Sequence, residues 1–150
     1  MSLKQQIESD IKKAMLARQK DELKALRAVK SMILLSETEK GSSGELSEDA
    51  ENKMLMKAVK QRKDSAQIYK DQGRDDLYAV EMEEVAVIER YLPKQLSLDE
   101  VTEVVKAVIA KVGATGPQDM GKVMGAATKA LAGQSDGKTI SGIVKQLLIQ

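Results

Sequence analysis

Cysteine and histidine are both missing from the 150 residues, and phenylalanine and tryptophan are missing with them. Without cysteine there are no disulfides and no thiolate chemistry. Without histidine as well, zinc sites of the usual His/Cys type, Ser-His-Asp triads and Cys-His pairs are all excluded. Acid–base work near neutral pH would fall to Asp, Glu, Lys or Tyr with a strongly shifted pKa. No resident metal or cofactor is therefore expected, and a binding module is a better fit than a self-sufficient enzyme. Long apolar runs are lacking too: no window approaches the length that spans a membrane. The stretch from Met1 to Arg18 mixes acids with its bases and has no unbroken apolar centre, unlike a signal peptide. These absences predict a cytoplasmic protein with no membrane partner. The formal net charge of +1 gives no global field for nucleic acid or anionic lipid, so any polyanion site must be a local patch.

What is present is aliphatic and charged: 42% of residues are apolar and 31% charged, a globular balance. Only Tyr69, Tyr78 and Tyr91 carry rings. A core of Leu, Ile, Val, Met and Ala suits helix-on-helix packing, and helical periodicity runs through the chain. Leu3, Ile7, Ile11, Ala14 and Met15 form one stripe, behind a Ser2/Gln5 capping box. A second helix starts near Lys20, places Leu23, Leu26, Val29 and Ile33 inward, and fades by Glu39. Gly41, Ser42, Ser43 and Gly44 then read as a flexible loop. Ser47 caps a long third helix through Leu55, Ala58, Val59, Arg62, Ala66 and Tyr69 to Gly73. Arg62 at an inward position either snorkels over apolar neighbours or forms a buried ion pair with an acid on the following helix. That helix carries Leu77, Val80, Val87, Ile88 and Tyr91 and stops before Pro93.

The segment from Leu92 to Leu96 is the expected domain boundary, separating a helical subdomain over 1–94 from a compact unit over 97–150. Ser97 and Glu100 have capping-box spacing, and Val101, Val104, Val105, Val108, Ile109 and Val112 then share one face up to Gly113. A shorter helix after Gly116-Pro117 carries Met120, Val123, Met124, Ala127 and Leu131. The last helix carries Ile140, Ile143, Val144, Leu147 and Leu148. The predicted fold is all-α, an N-terminal antiparallel helical subdomain plus a C-terminal three-helix bundle. From residue 105 onward six lysines face two aspartates, a local excess of four positive charges.

Two stretches exceed what generic helices require. One is Lys60-Gln61-Arg62-Lys63-Asp64-Ser65, continuing through Tyr69, Gly73-Arg74 and Asp76-Leu77, then Glu81, Glu84 and Tyr91-Leu92-Pro93. The other is Met120-Gly121-Lys122-Val123-Met124-Gly125, followed by Asp136-Gly137-Lys138 and Val144-Lys145. On these motifs the chain resembles the GatB/YqeY family over nearly its whole length. It departs at Tyr78, a ring in a stretch that is usually small and charged. The resemblance implies a C-terminal unit similar to the tail domain of the GatB subunit of glutamyl/aspartyl-tRNA amidotransferase. In that enzyme the tail helps hold tRNA and the chemistry lies elsewhere. The resemblance also carries the label of a carbon–nitrogen ligase with glutamine as amido-N-donor, and it points to tRNA, an amidotransferase or translation-related proteins as partners.

Gly121, Lys122, Gly125, Lys129 and Lys138 are the candidate nucleic-acid contacts. Gly121 and Gly125 either allow a neighbouring helix close or let backbone approach a phosphate, with Gly121 near a helix start that suits anions. The lysines are either a solvated face or, as a cluster, phosphate contacts. Scarce rings argue against single-strand recognition by stacking, leaving shape and phosphate recognition of a folded RNA. Lys60, Arg62, Lys63 and Arg74 either extend a basic surface or pair with Glu81 and Glu84 across antiparallel helices; the reversal at Gly73 favours pairing. An amidase like that of the related complex needs a Ser-Ser-Lys set, and Ser42-Ser43 is the one adjacent serine pair. Beside the tRNA-linked module stand two alternatives, an enzyme of the ligase type and a helical protein–protein adaptor.

Overall fold

A computed structural model describes residues 1–39 and 45–149 of the chain. The loop read at Gly41 to Gly44, with its Ser42-Ser43 pair, lies outside the described residues. Serines open three of the helices. The Ser2 hydroxyl accepts from the Gln5 amide at 3.2 Å, and the Gln5 side chain accepts from the Ser2 amide at 3.0 Å, opening α1 (Leu3–Leu16). Ser47 accepts from the Ala50 amide at the start of α3 (Glu48–Asp71). There Glu48, Asp49 and Glu51 sit against the positive end of the helix dipole. Ser97 and Glu100 form the second capping box, opening α5 (Leu98–Val112), and Gly113 closes it at φ 68°. Between and after these lie α2 (Lys20–Glu39), α4 (Asp75–Glu89), α6 (Met120–Ala130) and α7 (Gly137–Ile149). A 3-10 turn, Pro117–Asp119, leads into α6. No strand occurs among the described residues, so the all-α expectation holds. No described helix is long and apolar enough to cross a membrane.

The chain divides into two compact units, Met1–Leu92 and Pro93–Gln150. In the first, α1 and α2 run antiparallel, with ion pairs Lys4–Glu37 at 3.3 Å and Lys30–Glu8 at 3.5 Å marking the register. α3 and α4 form a second antiparallel pair, reversed at Gly73 with φ 71°. The core takes Leu3, Ile7 and Ala14 from α1, Leu26, Val29 and Ile33 from α2, Leu55, Ala58 and Val59 from α3, and Val85 and Ile88 from α4. Each large aliphatic side chain fully buried there contributes about 1.5–3 kcal/mol of transfer free energy.

The inward stripes differ from expectation at three places. Met15 is 53% exposed, because the core stops drawing on α1 at Ala14, one residue before it. Val80 is 41% exposed while Val85, which the periodicity passed over, is buried. The core draws on α4 only from Met82 onward, so the half of the helix that holds Val80 has no apolar layer above it.

In the second unit each of α5, α6 and α7 packs on the other two. Val101 and Val105, Val123, Ala127 and Leu131, and Ile140, Val144 and Leu148 form its buried centre. Val104, Val108, Ile109 and Val112 pack around that centre half-buried. The lead-in segment is tied down by backbone. The Leu96 amide donates to the Gln134 carbonyl at 3.0 Å, and the Gln95 side chain donates to the Gly133 carbonyl at 2.6 Å.

Candidate functional site

The first motif is built mostly from contacts within its own unit. Arg62 donates to Glu84 at 2.9 Å and to the Ala58 carbonyl at 3.2 Å; the Arg62 and Glu84 side chains are only 16% and 15% exposed. The ion-pair reading of Arg62 is therefore the one the fold adopts, and snorkelling is set aside. A carboxylate so placed cannot turn to substrate without leaving a guanidinium nearly buried and unpaired. Lys63 reaches Glu89 at 3.3 Å. Arg74 does not pair with Glu81 or Glu84; it takes Asp76 through two bonds at 3.1 and 3.0 Å, because both flank the turn after Gly73. That contact raises Arg74 and holds the Asp76 carboxyl below its ordinary range. Glu81 has no ion-pair partner among the described residues. Tyr78, the departure from the family pattern, lies under the Lys70 ammonium, 5.7 Å from its ring centre.

Tyr91 closes the motif with a longer reach. Its hydroxyl donates to Asp10 on α1 at 2.5 Å, and the adjacent Arg90 donates to Glu22 on α2 at 2.6 Å. Burial first, then the bond to Asp10, push the Tyr91 phenol well above its ordinary range. The Pro93 carbonyl accepts from Gln95 at 2.9 Å and so begins the second unit. Asp10 and Glu22 were not singled out from sequence. They lie 81 and 68 residues from their partners, where no spacing rule operates. Lys60 and Gln61 are exposed, Ser65 and Tyr69 half-buried, and none makes a side-chain hydrogen bond or ion pair among the described residues. The Tyr69 carbonyl accepts from Arg74 at 2.8 Å across the turn.

The second motif has the opposite character. Gly121, Lys122, Gly125 and Lys129 are all exposed, and they sit on the side of α6 away from buried Val123 and Ala127. A Cβ added at Gly121 or Gly125 would meet nothing within 4 Å. Neither glycine therefore serves packing against a neighbouring helix of its unit. An exposed helix-interior glycine costs about 1 kcal/mol relative to alanine, so both are retained at a cost the unit's own packing does not explain. Helix α7 repeats the arrangement: Lys138, Gly142 and Lys145 are exposed at i, i+4 and i+7, and Gly142 also has open space. Gly142 was missed from sequence, although its spacing to the two lysines was the available signal. Lys122, Lys129, Lys138 and Lys145 have no ion-pair partner among the described residues.

The start of α6 is less open to an anion than its glycine suggests. The 3-10 turn runs straight into it, so the Met120 amide already donates to the Pro117 carbonyl. Asp119, which accepts from the Thr115 amide at 2.9 Å, adds a carboxylate there. The feature that can meet phosphate is the lysine–glycine face, rather than the helix end. Among the described residues no group of three or more acids is placed to hold a metal ion.

The model of the YqeY-like protein family matches residues 4–148. A protein of Clavispora lusitaniae (strain ATCC 42720), named altered inheritance of mitochondria protein 41, mitochondrial, is 39% identical over 83 residues. The match covers 55% of this chain and 47% of that protein, so the chain spans about half the length of the curated relative.

Proposed function

The chain belongs to the YqeY-like protein family, and from that premise we propose that it is a non-catalytic module whose C-terminal unit holds folded tRNA by its phosphates. The observation that carries this reading is the pair of outward faces, Lys122–Gly125–Lys129 on α6 and Lys138–Gly142–Lys145 on α7. Cations with no internal partner keep their charge for an external anion. Glycines with open space above them let a sugar–phosphate chain come close to the helix backbone. With no tryptophan or phenylalanine and all three tyrosines in the first unit, the surface suits shape and phosphate recognition rather than base stacking. Four phosphate contacts predict a loss of affinity on the order of a hundredfold between 50 and 200 mM salt.

The ligase label is read as belonging to a larger assembly. No histidine or cysteine is present, and Glu84 is committed to Arg62. Association with an amidotransferase or another translation component, and a cytoplasmic location, are part of the same proposal. Gel-shift or filter binding of tRNA at low salt tests it, with the triple Lys122/Lys129/Lys138→Ala variant as control. Binding that the triple variant loses is expected; absence of binding by the parent protein at low salt would sink the reading. Glutamine turnover, alone or with tRNA and ATP, is expected to stay at background.

An adaptor reading rests on a different observation. The tip half of the α3–α4 hairpin buries little beyond Ala66 and exposes Ile68 and Val80. Partners captured from cytosol that survive nuclease treatment would favour it.

A further inference from the structure

The α1–α2 corner combines two features that neither the family motifs nor the RNA reading use. Helix α1 ends in Met15 and Leu16, which are 53% and 86% exposed at the point where the chain turns. Around them stand Lys12, Lys13, Arg18, Lys20, Lys24 and Arg27, all exposed. Lys12, Met15 and Leu16 share one face of α1 at i, i+3 and i+4; Lys20, Lys24 and Arg27 share one face of α2 at i, i+4 and i+7.

The neighbouring acids do not cancel this charge. Glu8 pairs with Lys30, Asp10 with Tyr91 and Lys13, and Glu22 with Arg90. Asp21 and Glu83 are left, against Lys12, Arg18, Lys20, Lys24 and Arg27, none of which has an ion-pair partner among the described residues. Arg18 itself occupies the turn at φ 55°, the position after a helix end where glycine is the ordinary choice. A cation is kept there against a backbone preference. The cleft beside it does not draw an anion inward, because Asp21, Glu22 and Glu83 line it together with Arg18 and Lys20.

We propose that this corner is a peripheral membrane-docking site: Met15 and Leu16 enter the headgroup boundary of a bilayer while the surrounding cations meet anionic lipid. Stable attachment of a surface protein takes two signals, apolar immersion and electrostatic attraction, and the corner supplies both. Leucine and methionine offer RNA no stacking surface, so RNA makes no use of the exposed pair. A protein partner needs about 800 Å² per side, far more than two side chains at a turn present. The expectation of no membrane partner rested on the lack of a spanning helix and on the small net charge. A surface corner requires neither.

Co-sedimentation of the full chain with vesicles tests the assignment. The parent protein is expected to bind mixed phosphatidylserine–phosphatidylcholine vesicles and to leave phosphatidylcholine vesicles in the supernatant. Met15→Ser/Leu16→Ser removes the immersed pair and is expected to weaken binding on the order of tenfold. Lys20→Gln/Lys24→Gln removes two cations and is expected to weaken it roughly thirtyfold. All four side chains are exposed, so unchanged circular dichroism and melting accompany these losses. Absence of binding to the anionic vesicles overturns the proposal. So does binding indifferent to Met15 and Leu16, which is adsorption by charge alone. A third overturning result is tRNA binding that falls in Lys20→Gln/Lys24→Gln while vesicle binding does not, which makes the corner an RNA surface.

Discussion

The two units use charge in opposite ways. Among the described residues of the first, four ion pairs join different helices, Lys4–Glu37, Lys30–Glu8, Arg62–Glu84 and Lys63–Glu89, and Arg90 at the end of α4 pairs with Glu22 on α2. In the second, the described pairs are local, Lys94–Glu100 and Lys106–Glu103, and none joins two helices. Its helices meet through valine, alanine, leucine, isoleucine and methionine, and its lysines face outward. The difference separates two kinds of motif. The Lys60-to-Pro93 motif contributes to stability through long-range polar contacts, and the lysines of the Met120-to-Lys145 motif are exposed with no ion pair among the described residues.

Breaking the most enclosed pair should sharpen that contrast most. Glu84→Ala strands the Arg62 guanidinium and should cost about 3 kcal/mol, read as a lowered midpoint of urea unfolding. Replacing both partners by apolar residues, as in Arg62→Met/Glu84→Leu, should restore most of it. By contrast Lys138→Ala in the second unit should change stability by less than about 0.5 kcal/mol. Equal effects in the two units would erase the distinction.

Tyr91→Phe removes a donor from a carboxylate and should cost about 1.5–2 kcal/mol near neutral pH. Its pH dependence has a defined sign. The folded-state pKa of Tyr91 is raised, so its contribution is intact below about pH 10 and declines as pH rises above that value. The parent protein should therefore lose stability in the alkaline range more steeply than Tyr91→Phe, as followed by thermal melts across pH. Parallel curves would contradict the role given to the phenol.

Smaller effects belong to the second unit. Ser97→Ala removes the α5 cap and should lower stability by about 1 kcal/mol, seen as earlier loss of helical signal on heating. Gly125→Ala fills open space on a helix and should raise stability by about 0.5–1 kcal/mol, while weakening RNA binding by crowding the backbone approach. Opposite signs in the two assays are the expected signature; a variant that gains stability and keeps full RNA affinity would leave the glycine without a binding role.

The helices were legible because their signals are local. Ser2/Gln5 and Ser97/Glu100 announce caps within three residues, Gly113 closes a helix at positive φ, and the valines of α5 mark one face. Where burial depends on how far a distant layer extends, periodicity failed. Met15 and Val80 continue their stripes past the point where another element covers them. The site was legible in part. Lys122, Gly125 and Lys129 could be chosen by motif, but the openness around the glycines depends on where α5 and α7 lie. Asp10 and Glu22 carried no signal, since their partners are brought to them only by the packing of α4.

Lysines of the second unit that hold RNA phosphates would show themselves in the salt dependence of tRNA affinity. Relative to the parent protein, the triple Lys122/Lys129/Lys138→Ala variant is expected to show a slope of log affinity against log salt that is shallower by roughly three. An unchanged slope, or no tRNA binding by the parent protein at low salt, would contradict it.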